Sequence, residues 1–186
     1  MISITGKIEN GKYYLLLDFL FSKCDVFTFH LPDKFNEFIS KNNIEYFPWC
    51  NLNTYVNSID SKEFEDYKNN IEYRIREFRR FFLKEYIDVE YAGSVYGNKM
   101  EIKVIRFDES LLGALKATSR LYDWQYPKMP EDLCFYSQGR CFLQSVAHEK
   151  ICIIYSDDYD TIYAIKKIGL KYRHDINDLI PPTLSE

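Results

Sequence analysis

Residues 129–155, MPEDLCFYSQGRCFLQSVAHEKICIIY, constrain the fold of this chain more than any other segment. Two apolar runs, 133–136 and 140–146, flank Gln138-Gly139, a pair suited to a two-residue hairpin turn. A third run, 150–155, follows the tight corner Ala147-His148-Glu149. The segment therefore predicts three consecutive antiparallel strands. A two-residue turn also sets a register, with Tyr136 opposite Cys141 and Cys134 opposite Leu143, so that the two thiols share a face diagonally. Leu133, Phe135, Phe142 and Val146 fill the other face, and apolar groups on both faces predict an interior strand pair.

The rest of the chain reads as helices and strands around this unit. Ile2, Ile4 and Ile8 mark a first strand, Asn10-Gly11 a hairpin turn, residues 13–17 a returning strand and residues 25–30 a third. Pro32-Asp33 predicts a short helix near 33–41, with Phe35, Phe38 and Ile39 at helical spacing. Ser61 is a good N-cap, and Glu63, Glu65 and Asp66 suit the first turn of a helix. Phe64, Tyr67, Ile71, Ile75, Phe78 and Phe82 then recur every three or four positions and predict a long amphipathic helix from about 61 to 86. Its outer face carries Arg74, Arg76, Arg79, Arg80 and Lys84, which reads as a solvated surface.

Strands are expected at 89–91 and 99–107, and Asp108 or Ser110 caps a helix near 110–122. Trp124, Pro127 and Pro130 then break the pattern and mark a seam near 123–130. Asp157-Asp158 caps a last helix near 158–168, which Gly169 ends. The tail Ile180-Pro181-Pro182 continues neither helix nor ladder and is expected to lie along the surface. The expectation is a single α+β domain over 1–186, with a mainly antiparallel sheet, one long amphipathic helix and several shorter ones.

Bulk properties narrow the function. A chain of 186 residues with 46% hydrophobic and 28% charged side chains buries a core and is not disordered. Sixteen Tyr, 14 Phe and 2 Trp suit a filled core, and they also suit a protein-binding face. A net charge of -4 opposes general nucleic-acid binding, while leaving a basic protein as an acceptable partner. No run approaches 18 uncharged apolar residues, so no membrane span is expected. Five scattered cysteines and the absence of a signal peptide predict reduced thiols in a cytoplasmic protein.

Reactive groups gather only within 129–155. Cys134, Cys141 and His148 have six residues in each gap, whereas structural zinc ligands pair two to four residues apart, so no metal is expected. A cysteine hydrolase or transferase would use Cys134 or Cys141 as nucleophile and His148 as base; it needs a lowered thiol pKa and a base within hydrogen-bond reach. Glu149 points away from His148 if the strand continues through it. Asp157, Asp158 and Asp160 read as capping residues rather than a cation loop, and His30 and His174 stand alone. No glycine-rich phosphate loop, nucleophile elbow or HExxH motif is present, so no cofactor is expected.

Trp124, the run Pro130-Glu131-Asp132-Leu133, Phe135, Gly139, Ala147-His148-Glu149 and a closing helix ending Ile168-Gly169-Leu170 together resemble small bacterial immunity proteins of polymorphic toxin systems. The resemblance spans residues 124–170, about a quarter of the chain. It implies a cytoplasmic non-enzyme that binds one cognate toxin and blocks it, and it assigns no functional residue. The expected function is thus a protein-binding module, with a basic toxin domain as the kind of partner. Tyr46, Trp49, Tyr55, Trp124 and Tyr126, from irregular segments, together with His148, are the expected binding residues. A subunit of a larger assembly is a third class, which native mass measurement distinguishes.

Overall fold

Tyr13, Leu16, Leu17 and Leu20 stand three and four residues apart, and only a helix buries all four together. The computed structural model, which describes residues 1–32, 75–88, 100–125, 129–174 and 180–184, folds them so. Strand β1 (Ile2–Thr5) leads into helix α1 (Gly11–Lys23), whose four apolar residues are fully buried. This corrects the expected N-terminal hairpin. Asn10 does turn the chain, at φ 53, but the turn opens a helix. Burying each such side chain contributes about 1.5–3 kcal/mol, which outweighs the local hairpin signal.

Among the described residues, the further helices and strands are β2 (Val26–Pro32), β3 (Phe82–Asp88), β4 (Met100–Arg106), the one-turn α2 (Leu112–Leu115), β5 (Glu131–Ser137), β6 (Arg140–Val146), β7 (Ile151–Ile154), α3 (Tyr159–Ile168) and β8 (Lys171–His174). The eight strands form one sheet in the order β3-β4-β2-β5-β6-β7-β1-β8, with every neighbouring pair antiparallel. The fold is α+β. Helices α1 and α3 pack against each other and share one core with Ile2, Ile4, Phe27, Phe29, Phe135, Leu143 and Ile154 of the sheet. The Lys12 ammonium donates to the Gly169 carbonyl at 2.7 Å, tying the start of α1 to the end of α3.

Much of the aromatic content is accounted for here. Phe27 contacts Phe29, Phe78, Phe107 and Phe135 at centroid separations of 5.5 to 6.5 Å, those to Phe78 and Phe107 edge to face. Trp124 stacks on Phe29 and is fully buried.

Several expected boundaries move. The helix expected to reach residue 86 keeps helical turns only from Ile75 to Phe81 among its described residues, and residues 82–88 form β3. Pairing with β4, including Glu85 opposite Lys103, supplies a ladder that overrides the helical spacing. The helix expected near 110–122 shrinks to a 3-10 turn and α2, with the Asp108 side chain accepting from the Ser110 N–H at 3.0 Å. The helix near 33–41, the strand at 89–91 and residues 61–74 lie outside the described residues.

The C-terminal unit follows expectation closely. Gln138 and Gly139 turn the β5–β6 hairpin at φ 51 and 77, Asp158 caps α3, and Gly169 ends it at φ 78. One register is corrected. Tyr136 does face Cys141, but a bulge makes Phe135 face Leu143 and sets Cys134 opposite Gln144. The extra residue brings Phe142 and Leu143 to the helix-covered face, and leaves Cys134, Tyr136 and Cys141 clustered on the other.

Candidate functional site

Helix α3 buries Thr161 and Ile165 against the core, so positions 159 and 163 of the same helix point outward. Both are tyrosine. Tyr159 is 80% exposed and Tyr163 57%, and their rings stack in near-parallel planes with centroids 6.2 Å apart. Asp157 and Asp160 are exposed beside them, while Asp158 is used within the helix, accepting from the Thr161 N–H at 2.8 Å. The Ser156 hydroxyl and then the Thr161 N–H hold the Asp158 carboxyl down at about 2, so it stays charged. The result is an exposed, stacked aromatic pair on a helix whose start carries Asp157, Asp158 and Asp160.

A second cluster sits where β5 begins. His30 pairs with Glu131 and Thr28 with Cys134, so β5 sets two residues, Asp132 and Leu133, against Phe29 alone. Asp132 occupies this bulge at φ 50, in the left-handed region that Asp tolerates better than most residues. Its side chain turns inward, where Oδ1 accepts the Ala147 N–H at 2.5 Å and Oδ2 has no partner among the described residues. Burial pushes the Asp132 carboxyl up to about 6, against the opposing pull of the Ala147 N–H and of His148. Burial raises the Glu131 carboxyl too, with His148 opposing it.

His148 lies exposed in the β6–β7 turn, as expected of a corner residue. Its Nε2 is 3.6 Å from Glu149 Oε1, so the two side chains do not diverge: the chain turns at 147–150, and strand alternation does not apply. The cysteines are different. Cys134 and Cys141 are buried, and burial drives the Cys134 thiol up to about 12 and raises Cys141 strongly as well. Both shifts oppose the thiolate that a nucleophile requires.

Of the expected binding residues, Trp124 is corrected. It has no exposed surface, and its indole N–H donates to the Tyr13 hydroxyl at 2.9 Å within the core. Tyr46, Trp49, Tyr55 and Tyr126 lie outside the described residues. Tyr159 and Tyr163 were missed, although their spacing of four, off the Thr161–Ile165 stripe and beside Asp157 and Asp160, marks an exposed aromatic pair. Among the described residues, no three His, Cys, Asp or Glu side chains converge as metal ligands, and no helix is long and apolar enough to cross a membrane. Compared with protein families, with curated proteins and with solved structures, the chain matches none.

Proposed function

We propose that this chain is a protein-binding module that blocks a basic partner, such as a toxin domain, by direct contact through the outer face of α3. The exposed Tyr159–Tyr163 stack carries the reading. Two large rings held in water give up burial that they would gain against a partner, and tyrosines lose little conformational freedom on docking. Asp160 adds exposed negative charge at the same helix end, beside the Asp157 carboxylate that pairs with the Met1 ammonium at 3.5 Å, and this favours approach by a cationic surface. The buried, high-pKa thiols support binding over cysteine catalysis.

The test is affinity capture from the native host with wild type and with the double variant Tyr159→Ser, Tyr163→Ser as matched baits. Neither side chain is buried, so the variant is expected to keep its far-UV circular dichroism and melting temperature. A basic protein retained by wild type and lost by the variant is the expected result. A partner held equally by both baits removes the α3 face from the proposal, and recovery of none counts against a binding role.

A further inference from the structure

The Asp132 bulge does something that the proposed binding face does not require. A neutral Asn would adopt the same left-handed backbone and accept the same Ala147 N–H, with no ionisable group. Asp132 instead brings a carboxylate that is 1% exposed, with one oxygen bonded to the turn and the other without a partner among the described residues. Such a group is poised to take up a proton, because burial disfavours its charge while the hydrogen bond to the turn favours it.

We propose that Asp132 is a proton-operated latch on the β6–β7 turn: ionised, it grips the Ala147 N–H and fixes His148 and Glu149 on the surface; protonated, it relaxes that grip. The titratable groups near it, among the described residues, come from several elements. Glu131 adjoins it on β5, His30 of β2 pairs with Glu131, and the turn contributes His148 and Glu149. The segment before β5 contributes the Trp124 carbonyl, which accepts the Asp132 N–H at 3.2 Å. His148 favours the ionised carboxylate and Glu149 disfavours it. The surface presented by the turn therefore follows the protonation of one buried residue.

The experiment is an NMR titration of the native protein from pH 4.5 to 8, following the Asp132 carboxyl carbon and the Ala147 amide. Both are expected to move together with a midpoint near the value of about 6 that burial sets. The Ala147 transition should survive His148→Gln and vanish in Asp132→Asn, which assigns it to the carboxyl rather than to the neighbouring imidazole. Exchange of the Ala147 amide, corrected for base catalysis, should be about tenfold faster at pH 5 than at pH 7.5, because a charged acceptor binds more strongly than a neutral one. An Asp132 carboxyl titrating near 4, an Ala147 transition abolished by His148→Gln, or exchange protection independent of pH would each overturn the latch. Should Asp132→Asn fail to fold, the wild-type carboxyl titration decides alone.

Discussion

The indole N–H of Trp124 donates to the hydroxyl of Tyr13 at 2.9 Å, and that hydroxyl donates onward to the Leu115 carbonyl at 2.9 Å. All three residues are fully buried. This relay joins α1 to α2 and to the segment that enters β5. Tyr13→Phe keeps the ring but leaves an indole donor and a carbonyl unpaired away from water. It is expected to destabilise the protein by about 2–4 kcal/mol, read as a lower urea midpoint at unchanged slope. A loss below about 0.5 kcal/mol would mean that the relay contributes little.

Asp132 gives stability a definite pH dependence. Its carboxyl lies higher in the folded protein, at about 6, than its ordinary 3.8. The favourable contribution belongs to the protonated form: it is complete below about 3.8 and is lost as pH rises through about 6. At about 1.4 kcal/mol for each tenfold in proton affinity, the loss reaches about 3 kcal/mol. Glu131 is shifted in the same direction. Denaturant titrations from pH 4 to 8 should therefore reveal a fall in wild type that is shallower in Asp132→Asn. Parallel curves for the two proteins would contradict this.

The tail closes over the thiol cluster. Pro182 accepts the Cys141 N–H at 2.8 Å, Leu184 donates to the Gly139 carbonyl at 3.0 Å, and Leu184 packs on Cys134, Tyr136 and Cys141. The tail thus occupies the edge of β6 beyond the point where β7 ends. Truncation after Ile180 is expected to speed labelling of Cys141 by a neutral-pH thiol reagent at least about tenfold, with the location read by peptide mass mapping. Cys152, in the main core, serves as the internal reference and should stay slow. Equal acceleration at both sites would indicate general loosening instead.

The 131–155 strands, the Asp158 cap and the Gly169 stop were legible in the sequence because each is a local device. A turn residue, a capping carboxylate or a left-handed glycine satisfies nearby backbone groups whatever the rest of the chain does. Residues 11–23 were misread: Asn10-Gly11 gave a local hairpin signal, and the Tyr13, Leu16, Leu17 and Leu20 spacing that the helix uses to fill the core went against it. Residues 82–88 were not. Phe82 continued a helical stripe, and only the presence of β4 as a partner turned the segment into a strand.

The candidate sites divide along the same line. Tyr159 and Tyr163 could have been read as an exposed pair from helical spacing alone, whereas Trp124, an expected surface anchor, is fully buried in the relay above. Asp132 had no assigned role in the sequence, where it stands only within the run Pro130-Glu131-Asp132-Leu133. Its inward turn depends on the bulge against β2 and on the arrival of Ala147 from fifteen residues away.

By itself the sequence determined the α+β class, the antiparallel β5–β6–β7 unit and the limits of α3, since these rest on contacts within a few residues. Only the tertiary structure decided that Trp124 is withdrawn from water, that residues 82–88 form a strand, and that one buried carboxylate at a bulge holds the β6–β7 turn. Those properties are set by burial and by partners distant in the chain, and side-chain type alone carries neither.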